Sequence, residues 1–338
     1  MQNVLTVISL KNIRANALLF KSISEKPLIA VVKDDAYGHG AEEVARYLED
    51  VADSFAVATV DEGAALRSAG IWKDILVLTP PLSAEEVVRI SAYRLTASVS
   101  SLAAMKLIAR VSRELSLPPM RAHLVFNTGM NRYGFRPDRV AHACRMAKEY
   151  GFQVEGVYSH YYSPENERLR RRQQTLFGKI CCVVQNEFPG AVRHIAATGG
   201  TLAGGELFDA VRIGIGLYGY LPYGFEECGC AVKPAMKIYA TVAQGGTFTG
   251  GGMGYNRIKE HYGKVHTLRI GYGDGFFRAG GVGVGKLCMD AAVRAGRGDY
   301  GTRRIAVKDI SSYAKQLNTT EYEVLVNAGK KAVKKYIE

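Results

Sequence analysis

The strongest constraint on this chain is a repeating texture in its first two thirds. Short apolar or β-branched runs stand at 28–33, 54–59, 74–79, 94–99, 120–126, 154–159, 194–198 and 209–213. Most are followed by a longer segment whose apolar residues recur every three or four positions, such as DEGAALRSAGI, SSLAAMKLIARVSREL, DRVAHACRMAKEYG and RRRQQTLFGKICCVVQNEF. Eight strands alternating with helices are what a parallel (β/α)8 TIM barrel needs. A doubly wound open sheet is the alternative, but eight parallel strands in a row favour closure.

After about residue 226 the texture changes. From KPAMKIYATVAQ onward the segments are short and strand-like, broken by GG, GGG, GYGDG and RAGGVGVG. This predicts a C-terminal all-β domain, with the N-terminal NVLTVIS adding a strand to it. The division is therefore a barrel over 8–226 and a β domain over 227–338 plus the strand 1–7, with the boundary where Pro222, Gly224 and Gly229 cluster. Glycine, 37 of 338 residues, exceeds the usual ~7% and asks for tight turns or close backbone approach to a ligand.

Several classes of protein are excluded. No run of about 18 apolar residues is present to cross a membrane. MQNVLTVISLKN lacks the basic and apolar regions of a secretory signal, so a cytoplasmic protein is expected. Six cysteines are too few for a disulfide scaffold of this size, and Cys228-Gly229-Cys230 has no second pair at zinc-finger spacing. The net charge of +12 invites a nucleic-acid reading, but neither basic run, at 168–172 or at 330–335, carries interleaved aromatics for base stacking. Neither nucleic acid nor membrane is expected as a partner.

A barrel enzyme builds its site at the C-terminal ends of the strands. The polar residues there are Lys33 and Tyr37, Asn127 to Arg132, His160, Thr198, Arg212 and Gly214. Lys33 ends a buried apolar run as V-V-K. An amine in such a place can have its pKa lowered and can form a Schiff base with a carbonyl.

The segment VVKDDAYGHG resembles the pyridoxal-phosphate lysine motif of alanine racemases. TGMNRYGF (128–135), VYSH (157–160), FDAVRIGIGLYG (208–219), KPAMKIYATV (233–242), GMGY (252–255), IGYGDGFFR (270–278) and LCMD (287–290) follow in that family's order. The resemblance covers about residues 8–300. It implies a (β/α)8 barrel followed by a β domain, pyridoxal 5'-phosphate as cofactor, an amino-acid substrate and a homodimer. By this resemblance Lys33 is the Schiff-base lysine and one of two bases. Tyr255 is the opposite base, and with Met289 it completes the partner subunit's site. Racemisation removes an α-proton from one face and returns one to the other, so two bases must flank the reacting carbon. Arg212 resembles the arginine facing the pyridine nitrogen, oriented by His160. Tyr37, Thr198 and the backbone amides of Gly214 and Ile215 correspond to the phosphate anchors. Arg132 and the Met289 amide correspond to the substrate-carboxylate contacts, and Tyr272 to a tyrosine lining the entry.

The chain departs from the family in supporting positions. Many relatives carry a carbamylated lysine seven residues before the arginine of TGMNR; Val125 stands there, and Asn127 replaces the usual aspartate. Arg132 thus lacks that anionic partner, a place a bound chloride could take. The pair after strand seven, usually Asn-Ser, is Ala197-Thr198, and a phosphate-binding tyrosine near the C-terminus is replaced by Lys330. Both bases are retained. The expectation is racemisation of L-alanine to D-alanine, with serine or another amino acid as alternative substrate and a catalytically silent cofactor-binding relative as the alternative class.

Overall fold

The computed structural model describes residues 4–257, 263–277, 282–284 and 286–338. The chain opens with β1 (Val4–Ser9) and the helix Leu10–Ser24, then enters the expected series of strands. These are β2 (Leu28–Val31), β3 (Ser54–Val57), β4 (Ile75–Val77), β5 (Thr96–Val99), β6 (Arg121–Val125), β7 (Gln153–Tyr158), β8 (Val192–His194) and β9 (Val211–Ile213). They form one eight-stranded sheet in the order β8-β7-β6-β5-β4-β3-β2-β9, and every ladder in it is parallel. Between β8 and β9 a parallel bridge joins Ala197 to Arg212, whose N–H donates to the Ala196 carbonyl at 3.0 Å. The ring is a nearly closed TIM-like barrel.

The strands are legible as apolar runs because helices cover their outer face while side chains fill the ring. β2, β4, β5 and β9 are buried at every residue. After β3, β4, β5 and β7 a capping residue starts the next helix. Thr59 and Glu62 form a reciprocal capping box for Val60–Ser68, Ser83 caps Ala84–Ala92, Ser101 caps Leu102–Glu114 and Asn166 caps Glu167–Glu187. The run at 194–198 is ended differently, by backbone bonding and without a side-chain cap. Its ladder with β7 ends at His194, residues 196 and 197 turn to bond β9, and Thr198 begins the helix Thr198–Leu202.

The chain divides into two compact units, one comprising Ile13–Asp34 and Ala41–Lys233, the other Met1–Asn12, Asp35–Gly40 and Pro234–Glu338. The first holds the barrel. The second is built on β10 (Met236–Thr247), which pairs antiparallel with β1. A short hairpin of β11 (Gly252–Met253) and β12 (Asn256–Arg257) follows. β13 (Lys264–Leu268) and β15 (Arg303–Val307) also pair with β10, β14 (Ala292–Ala295) flanks β13, and β16 (Val333–Ile337) lies parallel to β1. This unit is strand-rich and also carries two helices, Ile310–Gln316 and Glu321–Lys330, in the stretch expected to be all β. Their buried residues fall at helical spacing (Ile310, Tyr313, Ala314; Val324, Leu325, Ala328), and Asp309 caps the first. The glycine-rich turns upstream do not extend to this segment.

One local feature bears on the site. After β2 the chain runs into the helical turn Lys33–Gly38, in which Asp34, Asp35, Ala36 and Tyr37 have φ of 52°, 54°, 53° and 53°. The turn is left-handed, a conformation that costs about 1–2 kcal/mol per residue for L-amino acids. In the strand-rich unit Asp35 pairs with Lys334 at 2.8 Å, and Gly38 lies backbone to backbone against Gly329. A Cβ on Gly38 would come within 2.5 Å of the Leu325 carbonyl oxygen, so no side chain is admitted there.

Candidate active site

Contacts between strands that are not neighbours place a set of polar side chains inside the ring. Tyr158 on β7 meets Ser98 on β5 at 2.8 Å, and His123 on β6 meets His194 on β8 at 2.9 Å. Arg212, on β9 and only 3% exposed, lies at the centre of this set. Its Nη1 donates to Nδ1 of His194 at 2.5 Å and to the His194 carbonyl at 3.1 Å. Its Nη2 donates to the carbonyls of Ser159 and Ile195 at 2.7 and 3.2 Å and to Nδ1 of His160 at 3.2 Å. The guanidinium carbon lies 5.1 Å from the centre of the Tyr158 ring. Every one of these partners is neutral, and no carboxylate pairs with Arg212 among the described residues. Burial pulls its pKa down to about 10, so it remains a cation at neutral pH.

A guanidinium only donates, so His194 and His160 must each offer a bare Nδ1. Burial first, then the neighbouring cations, keep them neutral: His160 is lowered to about 3, with Arg212, Arg132 and Lys33 all acting on it. His123 is lowered to about 3 by burial and then Arg212, and His194 well below its ordinary value by the same causes. Arg212 contacts His160 directly, and Arg132 and Lys33 act on it electrostatically, at the end where a barrel enzyme carries its chemistry.

The other expected barrel residues lie beyond the ends of β2, β6, β8 and β9. Lys33 is half-buried directly after β2, and its amine makes no hydrogen bond or ion pair among the described residues. Thr198, buried at the start of its short helix, accepts the Gly216 N–H on Oγ1 at 3.3 Å. The backbone N–H groups of Gly214 and Ile215 donate to no group among the described residues. Arg132 is exposed in the loop after β6, with no carboxylate partner there and its guanidinium 5.8 Å from the Tyr133 ring. Val125 is buried, and the Asn127 side chain is used within the loop. Its Oδ1 accepts from the Gly129 and Asn131 N–H groups at 2.9 and 3.0 Å, and its Nδ2 donates to Asn131 Oδ1 at 2.9 Å.

Tyr37, Tyr255, Tyr272 and Met289 belong to the strand-rich unit. Tyr37 is buried, its ring 5.9 Å from that of Tyr322. Lys330 ends the neighbouring helix and donates to Asn327 Oδ1 at 3.4 Å. Gly254 and Tyr255 are the two turn residues of the β11–β12 hairpin, Gly254 with φ of 57°. Asn256 ties that hairpin to the segment before Met289, donating to the carbonyls of Met253 and Lys286 at 3.1 Å and accepting the Lys286 N–H at 2.9 Å. Tyr272 N–H donates to the Cys288 carbonyl at 3.2 Å, and Gly273 N–H to the Met289 carbonyl at 2.7 Å. The segments that carry Tyr255, Tyr272 and Met289 are therefore tied together through Asn256 and backbone bonds.

Sequence reasoning passed over His194, His123, Gln173 and Asn256. His123 and His194 are polar residues within or at the start of apolar runs, a signal that marks an inward face once the strands are known to close. Gln173 sits in the polar stretch RRRQQT, and only its helical spacing from Phe177, Ile180 and Val184 hints at burial. Asn256 follows Tyr255 directly, and asparagine beside a glycine turn is the available hint.

A nearly closed parallel barrel with a lysine after its first strand and a buried arginine on its last, neither paired with a carboxylate among the described residues, defines a (β/α)8 protein whose cationic end suits an anionic ligand. Residues 8–222 match the family model described as alanine racemase, N-terminal domain. The chain belongs to the alanine racemase family. It is 32% identical to the alanine racemase of Streptococcus equi over 283 residues, 80% of this chain and 75% of that protein. To that of Deinococcus radiodurans it is 31% identical over 334 residues, covering 89% and 90% of the two chains. The structure of alanine racemase from Clostridium difficile superposes with a TM-score of 0.91 at 27% identity, covering 100% of this chain and 96% of that one.

Proposed function

We propose that this chain interconverts L- and D-alanine, with pyridoxal 5'-phosphate held on Lys33 and a homodimer as the working unit. The observation that carries this is the buried Arg212, a cation that among the described residues is bonded only to neutral acceptors, in the same barrel as a Lys33 amine without a partner among those residues. The donor set fits the cofactor. Lys33 Nζ suits its aldehyde and Arg212 its ring nitrogen. The Thr198 hydroxyl and the Gly214 and Ile215 N–H groups, with Tyr37, suit its phosphate. When bound, the cofactor supplies an electron sink that makes a substrate α-proton removable near neutral pH.

The protein's own groups supply the rest. Arg212, with its pKa at about 10, keeps its proton at neutral pH, and the neutral His160 and His194 turn only bare Nδ1 atoms towards it, so neither passes it a proton. The ring nitrogen is thereby offered a hydrogen bond and no proton. Arg132 and the Met289 N–H of a second copy hold the substrate carboxylate, and Tyr272 lines the approach. Lys33 Nζ moves the proton on one face and Tyr255 Oη of a second copy moves it on the other.

The exposure of Tyr255 supports the second copy: it is 78% exposed and Met289 61% in the single chain, an unsuitable state for a base and an amide that must work out of bulk water. No helix among the described residues is long and apolar enough to cross a membrane. Borohydride reduction of the protein loaded with pyridoxal 5'-phosphate tests the reading: the added mass is expected on the peptide containing Lys33, and its appearance on another lysine would overturn the assignment.

A further inference from the structure

We propose that Gln173 is a positioning residue that sets the Arg132 loop against the His160 loop through uncharged hydrogen bonds. The inference deepens the reading of Arg132 as the substrate-carboxylate contact and rests on it.

Gln173 lies on the helix Glu167–Glu187, on the face that buries Phe177, Ile180, Cys181 and Val184. At 2% exposed it is the polar member of an apolar stripe, a position that needs all its hydrogen bonds satisfied within the protein. The bonds go to two different loops. Nε2 donates to Thr128 Oγ1 at 2.9 Å, in the loop after β6, and to the His160 carbonyl at 3.0 Å, in the loop after β7. Oε1 accepts the Tyr162 N–H at 3.3 Å. Thr128 Oγ1 also meets Ser159 Oγ at 2.7 Å, so the two loops are joined at a node closed by this amide.

Both loops carry site residues. Thr128 stands four residues before Arg132, and between them Asn127 holds the Gly129 and Asn131 N–H groups, making that loop a stiff unit. Gly129, with φ of 143°, presses on Tyr162 so closely that a Cβ there would lie 3.0 Å from the ring. On the other side Ser159 and His160 are acceptors for Arg212 Nη2. With Val125 and Asn127 where an anion would otherwise stand, no carboxylate among the described residues pairs with Arg132. The amide of Gln173 fixes its loop instead, and being neutral it leaves the cations of the site free for substrate and cofactor.

The test compares Gln173→Met, which keeps length and loses the amide, with Thr128→Val, which removes the same bond from its other end. Arg132→Lys serves as the control, all as cofactor-loaded enzyme. Gln173→Met and Thr128→Val are each expected to raise KM for alanine about tenfold while kcat stays within about threefold. Amide hydrogen exchange at 128–132 and 160–162 is expected to accelerate about tenfold in both, and the double variant to be no worse than either single one. An unchanged KM in both variants, with KM raised in Arg132→Lys, would overturn the positioning role. So would a lowered thermal midpoint with no change in KM or in loop exchange. An unchanged KM in Arg132→Lys would instead overturn the carboxylate reading, and loop exchange alone would then decide for Gln173. If Gln173→Met does not fold, Thr128→Val decides.

Discussion

Arg212 donates from Nη1 to Nδ1 of His194 at 2.5 Å, and His194 meets Nδ1 of His123 through Nε2 at 2.9 Å. Since a guanidinium has no acceptor, the direction of this chain is fixed along its length: His194 must carry its proton on Nε2, and His123 must keep Nδ1 bare. A proton added to either ring would set N–H against N–H beside a buried cation. The order of the barrel interior therefore depends on imidazoles that remain neutral.

That dependence has a sign. The folded-state values of His123 and His160 are lowered from 6.5 to about 3, and that of His194 lies well below 6.5. Between about pH 6.5 and 3 the unfolded chain takes up protons that the folded chain refuses. Stability is therefore full above about pH 6.5 and falls as pH falls, by up to about 1.4 kcal/mol per pH unit for each imidazole. Urea midpoints measured from pH 7.5 to 5 are expected to drop steeply, and His123→Gln to make the slope shallower. A slope unchanged in that variant would contradict the assignment.

Gly156 stands opposite His123 in the β6–β7 register, at a point where the register shifts. A Cβ on Gly156 would lie 2.7 Å from Cε1 and Nε2 of the His123 ring. Gly156→Ala is expected to destabilise the fold by about 1–3 kcal/mol through overpacking. Adding His123→Ala should recover part of that loss. Equal stability of Gly156→Ala and the parent in denaturant titration would show that the ring is not confined there.

The left-handed turn after Lys33 separates backbone strain from side-chain contact at Asp34, an exposed residue with φ of 52°. Asp34→Gly should change stability by less than about 0.5 kcal/mol, because glycine adopts this φ freely but loosens the unfolded chain. Asp34→Val should cost about 1–2 kcal/mol more than Asp34→Gly, since a β-branched residue tolerates the conformation poorly. Equal thermal midpoints for the two variants would contradict the left-handed geometry.

The barrel was largely legible in the sequence, and the reasons are physical. Strands covered by helices leave unbroken apolar runs, and serine, threonine or asparagine caps follow several of them. The reading drifted at 194–198, where backbone bonding to β9 rather than side-chain character ends β8. It missed the helices at 310–316 and 321–330, whose helical spacing follows a glycine-rich stretch that set the expectation of strands. In the site, Lys33, His160 and Arg212 were visible as polar residues after or within apolar runs, and the resemblance supplied their roles. His194, His123 and Gln173 were not visible, because their partners lie on non-adjacent strands and loops that meet only when the ring closes.

If Tyr255 serves the site of a second copy, two inactive proteins can repair one another. Lys33→Ala and Tyr255→Phe should each lose nearly all alanine racemisation. Mixing them under conditions of subunit exchange should restore up to about a quarter of parental activity, from hybrid dimers with one intact site. No recovery despite exchange confirmed by mass would place both bases in one chain.

The central claim is tested most directly by chiral analysis of alanine after incubation with the purified protein and pyridoxal 5'-phosphate. Starting from either L- or D-alanine, the account expects the same end point, an equal mixture of the two, with no progress in Lys33→Ala. Alanine that keeps its configuration in the presence of bound cofactor would contradict it.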